Sequence, residues 1–154
     1  MEKEVKDLTM PVFEASAPPT DTFLNRQTCI DRLIDDYKEH GHLVVAYDFD
    51  ETVYDKGSGS SCRQVVELLR ECSRIATIDL VVFTARNPVD YGLIKDYCQS
   101  EHIRIDAINE NVSRLKGDFG SGFQSKIFYN IFLDDRAGLY AAYETLVGFL
   151  KWYY

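Results

Sequence analysis

Two aspartates, Asp48 and Asp50, stand two residues apart at the end of the apolar run "LVVAYD" (43–48), with Thr52 two residues further on. Residues two apart in an extended chain share a face, so the two carboxylates point the same way and repel. A second acidic pair, Asp134 and Asp135, closes another apolar run, "NIFLDD" (130–135). Gathered in a low-dielectric cleft, these acids raise one another's pKa unless a cation neutralises them. A hard divalent ion that takes oxygen ligands, Mg²⁺, resolves the conflict. A metal held by carboxylates can grip a phosphate oxygen while a free carboxylate attacks phosphorus. Such a site needs positive companions, and Lys126, just ahead of the 130–135 run, offers one.

These residues must be positioned by the elements around them. From residue 43 onward, strand-length apolar runs alternate with helical patterns: 43–48, a helix near 61–75, "TIDLVVFT" (77–84), a helix near 88–101, "IRIDAI" (103–108), 130–135, and a helix near 137–151. That alternation predicts an α/β fold, a Rossmann-like three-layer sandwich with a mainly parallel sheet and helices on its faces. Ahead of it, residues 21–40 read as an N-terminal helix with Phe23, Ile30, Leu33, Ile34 and Tyr37 on one face, Thr20 or Asp21 as N-cap and Gly41 as stop. Residues 1–20 mix charge, Ser, Thr and Pro and read as an extended or disordered arm. The domain is thus expected over 21–154, with its core at 43–150. In open parallel sheets ligands bind beyond the carboxyl ends of the strands. Asp48 and Asp50, Thr84 and Arg86, Asn109, and Asp134 and Asp135 all fall on that edge.

Composition narrows the function classes. A chain of 154 residues with 45% apolar content suits one globular core. With 25 Asp and Glu against 17 Lys and Arg, the net charge of -8 repels polyanions and argues against nucleic acid as a partner. Cys29, Cys62, Cys72 and Cys98 are scattered, with no C-x-x-C pair, so neither a zinc site nor a disulfide framework is expected. The opening residues lack the apolar centre of a signal peptide, and no stretch approaches the ~18 apolar residues of a membrane span. The expectation is a cytoplasmic protein with reduced thiols and no membrane partner.

Four short motifs fall in order on these elements: "DFDET" (48–52), Thr84 in "VVFTAR", Lys126 in "SKIFYN", and "FLDDRAG" (132–138). In this set the chain resembles the phosphohydrolases of the haloacid dehalogenase superfamily, over residues 43 to 150. The resemblance implies that Asp48 is the nucleophile of an aspartyl-phosphate mechanism and Asp50 the general acid and base. It further implies that Thr84 bonds the transferring phosphoryl group, and that Lys126 neutralises charge and holds Asp48. Mg²⁺ would be held by Asp48, Asp50 (through its carbonyl), Asp134 and Asp135, with Thr52 bracing the first loop.

In that superfamily, substrate-selecting caps are inserted after the first motif or between the second and third. Here about thirty residues separate Asp50 from Thr84, which "GSGSS" (57–61), one helix and one strand fill, so a small capless type is expected. "GSGSS" reads as a flap or a plain loop. The long stretch "NENVSRLKGDFGSGFQ" (109–124) reads as a substrate loop or an oligomer contact. Arg86, Asn87, Asn109, Asn111 and Arg136 are placed to touch substrate or to shape turns. Glu51 departs from the small residue often found there and has no evident role. The function expected is Mg²⁺-dependent hydrolysis of a small phosphorylated metabolite or nucleotide, with a homo-oligomer as a substitute for the missing cap. The alternatives are a silent phosphate-ligand or regulatory module, and a phosphatase acting on polynucleotide ends or proteins.

Overall fold

A computed structural model of the chain describes residues 21–115 and 126–154. The expected arm (1–20) and the part of the expected substrate loop from 116 to 125 lie outside the described residues. Leu43–Tyr47 forms β1, buried at every position, as a strand covered on both faces of a parallel sheet must be. β2 (Ile78–Val82), β3 (Ala107–Ile108) and β4 (Ile131–Leu133) complete a four-stranded sheet of order β3-β2-β1-β4. All three pairings are parallel. The α-helices are α1 (Arg26–His40), α2 (Arg63–Ser73), α3 (Tyr91–Ser100) and α4 (Leu139–Tyr153). The expected Rossmann-like three-layer α/β architecture, with an N-terminal helix, is the one observed.

Side-chain alternation divides the core. Leu43, Val45 and Tyr47 of β1, with Leu80, Val82 and Leu133, join Leu33, Leu69, Ile94 and Phe149 from the four helices in one cluster. The alternate residues Val44, Ala46 and Val81 meet Val112, Leu115, Ile127 and Phe128 of the connection before β4. Right-handed crossovers explain the division: β1 to β3 steps one way across the sheet, and the return to β4 passes over the other face. Among the described residues that second face is covered by the connection, which includes a short 3₁₀ turn at Ser113–Leu115, while the buried apolar residues of α1 to α4 all belong to the first cluster.

Both edge strands are shorter than the apolar runs that signalled them, because side chains replace the backbone ladder at their starts. Asp106 donates its N–H to Leu80 O at 2.9 Å, and its carboxylate accepts from Leu80 N at 2.7 Å. Asn130 does the same for β4, donating to Val44 O at 2.9 Å and accepting from Val44 N through Oδ1 at 2.8 Å. α1 starts later than expected, because Thr22–Leu24 forms a 3₁₀ turn and Asn25 is the N-cap, its side chain accepting from Thr28 N at 3.2 Å. Asp21 does not cap it, Thr20 lies outside the described residues, and Phe23 is exposed rather than on the buried face. Gly41 ends α1 at φ 71, as expected for a left-handed stop. Among the described residues, no helix is long and apolar enough to cross a membrane.

Candidate functional site

The sheet register brings two acids together. Tyr47 lies opposite both Val82 and Leu133, so the next residues out, Asp48 and Asp134, leave neighbouring strands side by side. Asp48 still donates its N–H to Leu133 O at 2.8 Å. Asp48, Asp134 and Asp135 each present a carboxylate oxygen, all within 4.8 Å of one another. The buried Thr52 fixes Asp135: its hydroxyl accepts from Asp135 N at 3.0 Å and donates to Asp135 Oδ1 at 3.3 Å. Asp134 Oδ1 accepts from Arg136 N at 2.7 Å. Burial pushes the Asp48 carboxyl up to about 6, with the charges of Asp134, Asp135 and Asp50 adding to it and the N–H of Phe49 opposing it.

Asp50 does not join this trio. Residues 49–54 form a tight turn in which Val53 N and Tyr54 N both donate to Phe49 O, and Glu51 N donates to Tyr54 O. Phe49 is fully buried and stacks on Tyr54 at 5.1 Å, with Tyr97 edge-on to both rings. The Asp50 carboxylate is gripped by Arg86, whose Nε and Nη2 donate to its two oxygens at 2.9 and 2.7 Å. The Arg86 guanidinium lies 5.5 Å from the Phe49 ring centre. Its hydrogen bonds hold the Asp50 carboxyl below the usual carboxylate range. The four acids expected as one cluster are therefore three plus an ion pair.

The other expected residues are distributed unevenly. The Thr84 hydroxyl accepts from Arg86 N at 3.1 Å, and so shapes the turn that carries Arg86. Asn109, at φ 52, clasps the Thr84 main chain from both sides, accepting from its N–H at 2.8 Å and donating to its carbonyl at 2.7 Å. Asn111 holds the chain before β4, accepting from Phe128 N at 2.7 Å and donating to the Lys126 carbonyl at 3.5 Å. Both asparagines are turn residues. Lys126 is exposed and is not among the residues lining the cleft over the trio, a space of ≈ 450 Å³. Among the described residues, the cations that line it are Lys56 and Arg136.

Lys56 was missed by sequence reasoning, and Glu51 was left unexplained; the structure links them. Glu51 sits at φ 61, and its carboxylate accepts from Lys56 N at 3.1 Å, Ser58 Oγ at 2.5 Å and Ser60 Oγ at 3.0 Å. The two serine hydroxyls hold the Glu51 carboxyl below its ordinary range, helped by the Lys56 N–H. Asp55 Oδ1 accepts from Gly57 N at 2.8 Å and Gly59 N at 3.2 Å. The "GSGSS" segment is thus a turn folded around two carboxylates. The available signal was two acids, Glu51 and Asp55, six and two residues ahead of alternating glycine and small hydroxyl residues, the pattern of side chains that bond main-chain N–H groups.

The donor set of Asp48, Asp134 and Asp135 suits a hard divalent cation such as Mg²⁺, being all oxygen and partly open to solvent. Among the described residues, no side-chain cation lies within ion-pairing distance of Asp48 or Asp134, and Arg136 stands 3.9 Å from Asp135 with 92% of its side chain exposed.

No family model matches the chain, and no curated protein matches it. A solved structure of a conserved protein from Bacteroides thetaiotaomicron is similar, at 20% identity and a TM-score of 0.49, over 62% of this chain and 77% of that one.

Proposed function

We propose that the chain is a Mg²⁺-dependent phosphomonoester hydrolase that works through an aspartyl-phosphate on Asp48, in the manner of the haloacid dehalogenase superfamily. The observation that carries the reading is the carboxylate trio at the carboxyl ends of two adjacent parallel strands, where one member, Asp48, is burdened by both burial and like charge. Asp48, Asp134 and Asp135 would hold the metal, which when bound supplies positive charge to the phosphate oxygens and keeps the Asp48 carboxylate ionised.

The Asp48 carboxylate attacks phosphorus, an oxygen–phosphorus bond forming as the ester bond breaks. Asp50 then protonates the leaving oxygen, and later removes a proton from the water that releases phosphate and regenerates Asp48. To do so it must part from Arg86, for which a substrate phosphate is the competing bidentate partner. Thr84 would bond the transferring group, as the resemblance implies, and Lys126, which is exposed and off the cleft's lining, would have to turn into the cleft to neutralise charge there. The acidic surface favours small phosphorylated metabolites or nucleotides over polynucleotide ends. A cytoplasmic location and a homo-oligomer completing the open cleft belong to the same proposal.

A second reading is favoured by one observation. The bidentate Arg86 pair keeps Asp50 ionised, which suits a module that binds a phosphate ligand without turning it over. Hydrolysis of an aryl phosphate with Mg²⁺ separates the two. The enzyme reading expects turnover that falls roughly 10³-fold in Asp48→Asn and stops on chelation. Activity that survives either change defeats that reading, and phosphate binding without turnover selects the module.

A further inference from the structure

We propose that Lys56 is the residue that receives the anionic group of the ligand in this cleft, and that Glu51 is the positioning residue that holds Lys56 there. The inference rests on the reading of the cleft as a phosphate site, and it adds to that reading a cation that the four sequence motifs do not contain and a role for Glu51 within the first of them.

The argument begins with the cations available. Arg86 is paired with Asp50 through two hydrogen bonds in the free protein, so it can turn to a phosphate only after that pair has opened. Arg136 lines the cleft but projects into solvent, with its nearest acid, Asp135, at 3.9 Å. Lys126 is not on the lining. Lys56 lines the cleft, and among the described residues its ammonium has no ion-pair partner, although Asp50, Glu51 and the acidic trio share the same walls. An uncommitted ammonium in an acidic cleft is a ready partner for an incoming phosphate, which brings more acceptor oxygens than any side chain there.

Lys56 is also held in place. A lysine on a loop rich in glycine and serine would ordinarily sample many positions and lose entropy on binding. Here its own N–H is fixed by Glu51, and the same carboxylate collects the hydroxyls of Ser58 and Ser60. Asp55 fastens the N–H groups of Gly57 and Gly59, both at positive φ. Glu51 itself adopts φ 61, a conformation an L-residue with a long side chain seldom takes, and one that is sustained by the contacts it makes. The glutamate with no evident role in the sequence is therefore occupied with the loop carrying the cation.

The test uses two readouts on the full chain. The first is binding of inorganic phosphate by titration calorimetry, with and without Mg²⁺. Lys56→Ala is expected to weaken it about ten-fold. Glu51→Ala is expected to weaken it to a similar extent, the double variant is expected to be no weaker than Lys56→Ala alone, and Glu51→Gln, which keeps one acceptor oxygen, is expected to fall between wild type and Glu51→Ala. The second is steady-state hydrolysis of an aryl phosphate, where the same changes are expected to raise KM with kcat held within about two-fold. Phosphate affinity that is equal in wild type and Lys56→Ala overturns the inference whether or not the protein hydrolyses anything. Additive losses in the double variant overturn the positioning role of Glu51. Absence of turnover together with Lys56-dependent phosphate binding removes the hydrolase reading and leaves this inference standing.

Discussion

At Asp48 the folded chain holds a carboxyl whose pKa is pushed up to about 6 from an ordinary 3.8. Between those values the folded protein binds a proton that the unfolded chain has released. The stabilising contribution of this group is therefore fully present below the unfolded pKa and is lost as pH rises through about 6. In calorimetry without divalent ions, the melting temperature of wild type minus that of Asp48→Asn is expected to fall between pH 4 and pH 7. Added Mg²⁺ binds the ionised form and is expected to raise the wild-type midpoint more at pH 7 than at pH 4.5, with little effect on Asp48→Asn. Parallel curves for the two proteins would remove the electrostatic account of the trio. At this scale much was legible: an acid ending each of two apolar runs was enough to put Asp48 and Asp134 on the same edge of the sheet. The partner of Asp50 was not legible, because Arg86 lies 36 residues further along the chain and only the turn at 49–54 aims the carboxylate at it. Lys56 was invisible for a related reason: a lysine in a Gly/Ser loop looks solvated until the loop is seen to be anchored.

Among the elements, α1 packs against α4 at Gly148, with Ile30 over the glycine. A Cβ there would lie 2.8 Å from Ile30 Cγ1 and closer still to Ile30 Cδ1, and Ile30 is itself buried. Alanine would ordinarily gain up to about 1 kcal/mol over glycine inside a helix, whereas overpacking a filled core costs about 1–3 kcal/mol. Gly148→Ala is therefore expected to destabilise the protein by about 1 kcal/mol net in denaturant unfolding. Ile30→Val removes the nearest atom and is expected to recover part of that loss in the double variant, although alone it costs about 0.5–1.5 kcal/mol. Purely additive losses would show that the two helices do not meet there. Helical periodicity predicted both helices and the buried Ile30, Leu33 and Ile34. It could not predict that α1 begins after a 3₁₀ turn, because Asn25 and Asp21 are equally good caps by residue type, and only the backbone conformation chooses between them. Asp106 and Asn130 shorten the edge strands on the same principle, a side chain taking the place of a main-chain partner.

For the whole molecule, the net charge of -8 predicts that a labelled single-stranded oligonucleotide shows no rise in anisotropy at physiological salt. Saturable binding there would favour a polynucleotide-end substrate over a small metabolite. The α/β class and the parallel order were readable because apolar runs of strand length alternating with amphipathic helices have few other ways to bury themselves. The sequence by itself thus determined the elements, the central buried strand and the edge on which the acids gather, since local periodicity and hydrophobic burial suffice for these. Only the tertiary structure decided which acids meet: the register of β1 against β4 groups Asp48, Asp134 and Asp135, and the turn after β1 gives Asp50 to Arg86. It also decided that, among the described residues, the cations lining the cleft are Lys56 and Arg136, with Lys126 off its walls. Side-chain direction at the end of a strand depends on register and on partners distant in the chain, and neither is written in local composition.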